Sequence, residues 1–383
     1  MAGERVGATP ANDMKKNSNA QQRAEVEFNP SVSKQYQTIK LGIDWHAEQY
    51  RVVRIIDNAG PEPAQRFCPR DFLDWAKKQL GLAQKVYTCY EAGAGGFVLH
   101  RQLSELGVIN YVVAPRDLDR DHKGVQNDST DARELASDLD RFVRGNPKAL
   151  RLVHVPSIEA EQRRQQSRQR RQLLCHRLSL AAQGRSLLLS QGFRQSNHWW
   201  KPQRWNKVWP GLPAWIVEAL EIFRRLILKV DEEIKGLQKA IEQAASAVRP
   251  KGLGALTLEE LEREVCDWKR FQNRKRVGSY AGLAGGLSAT GQSSLDLPIT
   301  KAGNVRLRTL LIELAWRWVI YQSQSKLVQR WQRVLLNPKA HRRARKRAIV
   351  AVARSLFVEL WRWRTGRAQP QELGWQMLEA APA

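Results

Sequence analysis

The sequence predicts three regions: an α/β domain with a mixed sheet at residues 36–156, a long helical coiled-coil arm at 157–249, and a mainly α-helical domain at 250–368. Three observations predict this. Short β-rich runs alternate with helical ones up to residue 139, long basic amphipathic runs begin after Pro156, and helix-period runs recur from residue 255 onward. Residues 1–35 and 369–383 lack a period and read as tails. The first strand is Thr38 to Asp44, which alternates and then turns apolar; Arg51 to Ile56 is its hairpin partner across the polar turn at His46 to Gln49. Phe72 to Leu80 has helical spacing, and Lys85 to Tyr90 is a strand that ends at Glu91 before the small-residue loop Ala92 to Gly96. A helix at Phe97 to Leu106, a strand at Val108 to Val113 and a helix from Asp128 to Leu139 complete the domain. The arm is a helix over Ser157 to Gln191, a break carrying Trp199, Trp200, Trp205 and Trp209, and a second helix over Ala214 to Val248. Beyond it, Lys251 to Gly254 reads as a glycine hairpin able to offer backbone N–H groups to a phosphate, leading into a helix at Ala255 to Val265. Helices at 305–336 and 341–364 follow.

Charge narrows the function. Sixty-three Lys and Arg against 38 Asp and Glu give a formal charge of +25 over 383 residues. A cation of that size attracts polyanions, so nucleic acid is the expected partner. A membrane is not expected, because no run of 18 apolar residues exists and the N-terminus lacks the apolar core of a secretory signal. The four cysteines, Cys68, Cys89, Cys175 and Cys266, are scattered, with neither paired spacing nor histidine partners. That argues against a disulfide framework and a structural zinc, and makes a reducing cytoplasm the expected compartment.

Four carboxylates carry the expected chemistry. Asp44 and Glu91 each close a strand, and Asp128 and Asp131 stand three apart at the start of a helix, on one face. Strand ends of an open α/β sheet collect functional groups at one edge. Carboxylates gathered there repel unless divalent cations neutralise them, and two Mg2+ ions so held can serve both oxygens of a phosphodiester displacement. Taken singly, each residue has a plainer role as a turn or helix cap; the order of all four favours chemistry. The basic cluster Arg163, Arg164, Arg168, Arg170 and Arg171 and the run holding Arg342, Arg343 and Arg345 contain no compensating acids, which favours phosphate contact. The four arm tryptophans fit either base stacking or a packed tip, whereas Trp316, Trp318, Trp361 and Trp363 read as core.

Three blocks, Leu41-Gly42-Ile43-Asp44-Trp45-His46, Tyr90-Glu91-Ala92-Gly93 and Asn127-Asp128-Ser129-Thr130-Asp131-Ala132-Arg133, resemble the signature blocks of the DEDD transposases of the bacterial IS110 insertion-sequence family. Arg276 to Leu283 and Ile299 to Arg308 resemble that family's second domain, while Glu313 to Trp318 and Ile349 to Arg354 resemble its IS1111 branch. The resemblance spans roughly residues 36–366 in the family's order. It implies a RuvC-like (RNase H-like) first domain with Asp44, Glu91, Asp128 and Asp131 as a magnesium tetrad. It also implies a C-terminal serine that links covalently to DNA, and a structured guide RNA that pairs with donor and target DNA. Lys301, Asn304, Arg306 and Arg308 join the expected nucleic-acid contacts, and a homo-oligomer, dimer or tetramer, is expected. One position departs from the pattern: where the family has its serine, eleven residues before Lys301, this chain has Thr290 followed by Gly291. Thr290 keeps the position and the hydroxyl, on a more crowded carbon. Ser288, Ser293 and Ser294 are the alternatives, and a copy impaired in joining is the third outcome. Two other functions compete with transposition: a RuvC-like structure-specific nuclease, and a non-catalytic basic scaffold.

Overall fold

The computed structural model describes residues 34–115, 128–290 and 293–378, with all their side chains except those of 128–129, 287–290 and 293–296. The chain divides into two compact units between Val153 and His154. The arm and the mainly helical C-terminal region fall in the same unit.

In the first unit the order is β1 (Tyr36–Trp45), β2 (Tyr50–Ile56), β3 (Gln65–Phe67), α1 (Pro69–Leu82), β4 (Ala83–Glu91), α2 (Val98–Glu105), β5 (Ile109–Val113) and α3 (Asp128–Val143). They build a five-stranded mixed sheet ordered β3-β2-β1-β4-β5. The β1–β2 and β2–β3 pairs are antiparallel and the β1–β4 and β4–β5 pairs parallel. β1 is central, which explains its composition: Ile39, Leu41 and Ile43 are fully buried on one face, and its other face lies under α3. β3 is a short edge strand with little periodicity of its own.

The second unit begins with α4 (Ile158–Ser190), α5 (Pro202–Val208) and α6 (Ala214–Gln243). Ser157 starts α4 as its N-cap, its hydroxyl accepting from Ala160 N at 3.2 Å. α4 and α6 are antiparallel: Arg177 pairs with Asp231, and Arg170, seven residues back, meets Gln238, seven residues on. At the arm's tip Trp199, Trp200 and Trp205 are buried, so packing accounts for them; Trp209 is about half exposed. The Trp199 ring takes the space a side chain at Gly184 would need, and its Nε1 donates to Ala181 O at 2.9 Å.

β6 (Arg249–Pro250), α7 (Ala255–Val265), α8 (Arg274–Tyr280), β7 (Gly285–Thr290), β8 (Ser293–Ile299), α9 (Val305–Tyr321), α10 (Lys326–Leu335), α11 (Arg342–Arg364), α12 (Pro370–Leu373) and β9 (Met377–Leu378) complete the chain. Their core is formed by residues such as Leu258, Leu311, Trp318, Val352, Phe357 and Trp361. Four expectations change here. The helix expected over 305–336 is broken, because buried Gln322 donates to Lys251 O and Gln376 O and Ser325 caps a new helix. The segment 369–378, expected to be loose, docks α12, β9 and buried Trp375 onto the core. Trp316 is exposed on α9 rather than core. The Lys251–Gly254 turn is tied into the fold through Lys251 N to Gln376 O and Leu253 N to Pro250 O, so two of the donors imagined for a phosphate are already engaged.

Candidate active site

The α3 side of the sheet has a regular contact ladder. Lys40 Nζ contacts Asp140 Oδ1 at 2.7 Å. Two residues on, Gly42 lies so close to the helix that a Cβ there would sit 2.2 Å from Ala136 N and 2.4 Å from Ala132 O. Two residues along a strand rise about 6.8 Å and four along a helix about 6 Å, so each step of two forward on β1 matches one turn back on α3. The next same-face rung brings Asp44 to the level of the turn that runs from Asp128 to Ala132. β4 repeats the pattern beside it. Cys89 is paired in register with Gly42 and its Sγ reaches Leu135 O at 3.4 Å. Two residues on from Cys89 is Glu91, and one turn back from Leu135 is Asp131.

Asp44 and Glu91 thus occupy one row at the C-terminal ends of neighbouring parallel strands, each two residues beyond the paired Gly42 and Cys89. Both are partly buried. Asp131 is exposed on the first turn of α3, and Asp128 opens that helix, its side chain lying outside the described atoms. Among the described residues, no three acidic, histidine or cysteine side chains stand close enough together to hold a metal ion. Extended by one rung, the ladder levels Asp44 and Glu91 with the first turn of α3, and the described carboxylates of Asp44, Glu91 and Asp131 do not close into a metal-holding group. A cavity of about 430 Å3 opens there, lined by Asp44, His46, Glu48, Gln49 and Arg51. The glycine-rich loop after Glu91 is fixed by close packing: a Cβ at Gly95 would fall 2.3 Å from the Trp45 ring, and Tyr90 Oη donates to Gly96 O at 3.1 Å.

In the second unit, Thr290 ends β7 and pairs with Ser293 across a hairpin. The register places Ser288, Thr290 and Ser293 on one face of the ribbon and Ser294, opposite Ala289, on the other. The foot of the hairpin is held by Thr300 N to Ala284 O and Lys301 N to Gly282 O. Here the two C-terminal motif blocks interlock. Gly303 adopts φ 147°, and a Cβ on it would lie 2.6 Å from both Gly282 N and Tyr280 O.

Several expected nucleic-acid contacts are engaged elsewhere. Asn304 caps α9, accepting from Leu307 N, and donates to Glu264 Oε2 at 2.7 Å. Arg308 donates to Ala281 O and Lys301 O. Lys301 and Arg306 remain exposed. The acids missing from the Arg163–Arg171 run are supplied by α7: Arg163 pairs with Glu259 at 2.8 Å, Arg168 doubly with Glu264 at 3.0 Å, and Arg170 with Glu260 at 3.0 Å. Arg164 approaches Cys266 Sγ, and Arg171 is exposed. The premise of an uncompensated cluster is thereby corrected: three of its five arginines satisfy buried or half-buried glutamates. Burial raises the Glu264 pKa, yet the hydrogen bonds from Arg168 and Asn304 outweigh it and leave the carboxyl below its usual range. The matching five-residue spacings, Arg163 to Arg168 and Glu259 to Glu264, were the available sequence signal for this pairing. In the other basic run Arg342 and Arg343 are exposed, and Arg345 donates to Asn337 O.

Residues 249–331 match the transposase IS116/IS110/IS902 family. Over 315 residues the chain is 32% identical to y4rJ of Sinorhizobium fredii, named as a candidate transposase, covering 75% of this chain and 79% of that protein. It is 25% identical over 288 residues to the transposase for insertion sequence element IS1111A of Coxiella burnetii, covering 71% of this chain and 75% of that one. The class these matches define is the DNA transposase of insertion sequences. The chain belongs to the IS116/IS110/IS902 transposase family. No described helix is long and apolar enough to cross a membrane.

Proposed function

We propose that the chain cuts and rejoins DNA strands using a carboxylate-held Mg2+ site on a RuvC-like (RNase H-like) first unit and a hydroxyl nucleophile on the β7–β8 hairpin. The observation that carries this reading is the shared row of Asp44 and Glu91, with the first turn of α3 levelled on the same edge. An all-oxygen donor set of this kind suits a hard divalent cation. Asp44, Glu91, Asp128 and Asp131 are the residues that would hold it, and bound there it would supply positive charge to the oxygens of a phosphodiester displacement. The Lys40–Asp140 pair and the Gly42 contact fix α3 against β1 and so position the carboxylates. Thr290 Oγ1 attacks phosphorus, loses its proton as the new O–P bond forms, and displaces the oxygen of the departing strand; Ser288 and Ser293 are the nearest replacements on its face.

A structured RNA from the element's non-coding end guides the reaction by pairing with donor and target DNA. The charge of +25 suits a chain that holds two kinds of polyanion. Self-association into a dimer or tetramer is supported by exposed Trp215, Ile222 and Leu226, seven and four residues apart on α6. The test combines purified protein, RNA transcribed from the element's non-coding flank, donor and target DNA, and MgCl2. Recombined product is expected with the native chain and none with Asp44→Asn or Glu91→Gln, while RNA binding persists in both. Exchange that survives Asp44→Asn would overturn the tetrad, and cut ends without joining would make the chain a structure-specific nuclease.

A further inference from the structure

A second cavity, of about 680 Å3, lies between the foot of the β7–β8 hairpin and the basic first half of α11. Leu297 and Ile299 from the hairpin and Val350 and Ala351 from α11 give it apolar walls. Lys346, Arg347 and Arg354 bring three cations to the same space, and among its described lining residues none is acidic. All three cations lie on exposed positions of α11. The Arg354 side chain runs across Gly278, where an added Cβ would stand 3.1 Å from its Nε. Glycine at that position therefore leaves room for the arginine.

Apolar walls with a cationic rim suit a ligand that has a flat apolar body and an anionic group. The volume falls in the range of sites for single small ligands. A space of that size holds one small ligand rather than a duplex. Within a strand-transfer enzyme, the ligand with this chemistry is one nucleotide whose base has left the stack. We propose that this cavity holds such an unstacked nucleotide of the bound strand, its base against Leu297, Ile299 and Val350 and its phosphate on Lys346, Arg347 and Arg354. The inference rests on the DNA-exchange reading and adds a binding site to it. Gly285, at the cavity, and Thr290 are five residues apart on one strand with a register shift after Gly285, at most roughly 17 Å at strand rise. The held nucleotide therefore lies a few steps along the DNA from the nucleophile, where it would fix the strand's register. Unstacking a base carries a cost, which contact with the three cations offsets.

The test titrates the full chain into adenine-rich single strands, each carrying 2-aminopurine at a different position. Fluorescence reports unstacking, and anisotropy of an end label reports binding. One position, or two adjacent ones, should brighten on binding. Ala351→Trp, which fills the cavity, should remove the brightening while anisotropy still reports binding, and Arg354→Ala should reduce it. Val350→Met provides a milder filler should Ala351→Trp melt early by circular dichroism. Brightening at no position, at all positions alike, or undiminished in either filled variant would overturn the proposal. So would brightening that dodecanoate reverses and a mononucleotide does not, since the cavity would then belong to a fatty anion. If strand exchange proceeds without positional brightening, only this inference fails; if the chain neither binds DNA nor exchanges strands with the element's RNA and MgCl2 present, the function proposed above fails with it.

Discussion

At the scale of single residues, Gly42 and Glu359 give the sharpest expectations. Gly42 is the only residue type that lets α3 lie on β1 at the observed distance, since any Cβ would overlap helix backbone rather than a flexible side-chain end. Gly42→Ala should therefore cost about 3 kcal/mol or more and lift α3 away from Asp44. Thermal unfolding followed by circular dichroism checks the first consequence, and loss of strand exchange at a temperature where the variant stays folded checks the second. Glu359 on α11 is different in kind. Burial raises its pKa to about 7, and nearby Trp375, Arg362 and Arg330 offset this only in part. A carboxyl whose folded pKa exceeds its unfolded value of 4.5 binds its proton more tightly in the folded chain. Its favourable contribution is complete below about pH 4.5 and is lost as pH rises towards 7. Glu359→Gln should thus flatten stability across that window and raise the melting temperature at pH 8, by an amount no larger than about 3 kcal/mol would give. An unchanged pH profile would remove Glu359 as its source.

At the scale of elements, α4 and α7 are joined by a ladder of charges that the linear sequence conceals. Arg168 and Glu264 stand 96 positions apart, and Glu264 is only 3% exposed. Arg168→Ala leaves that carboxylate with Asn304 as its remaining side-chain partner and should destabilise the second unit by about 3 kcal/mol. Replacing both, Arg168→Met with Glu264→Leu, should restore most of the loss, because an apolar pair needs no compensating charge. A double-mutant cycle in urea measures this, and additive single effects would show that the pair is not coupled. The same distinction explains what could be read from the chain. The strand-end positions of Asp44 and Glu91 were legible because each ends an apolar run, and the helices because their periods persist over many residues. The β7–β8 hairpin was not, since Gly285, Gly286 and its serines lack the β-branched signature of a strand. The break between α9 and α10 was hidden because Gln322 turns inward to carbonyls supplied by distant segments. Ion pairs of long sequence separation leave no local mark, which is how arginines paired with distant glutamates resembled a cluster without compensating acids.

At the scale of the whole molecule, the excess of 25 positive charges does not act as one pool. Arginines already held by glutamates cannot release counterions from DNA without giving up those partners, whereas exposed ones can. Arg170, paired with Glu260 and touching Gln238, belongs to the first group, and Arg342 and Arg343 to the second. Each phosphate neutralised on duplex DNA contributes about 0.9 to the slope of log K against log salt. Binding of duplex DNA measured from 50 to 300 mM KCl should therefore show a slope reduced by about 2 in Arg342→Ala/Arg343→Ala, at one contact per arginine. Arg170→Gln should leave the slope unchanged while lowering the melting temperature, because what it loses is an internal partner. If Arg170→Gln lowered the slope as much as the double variant, the α4–α7 pairs would have to open on DNA. The arm's root would then be part of the nucleic-acid surface rather than the frame that holds it.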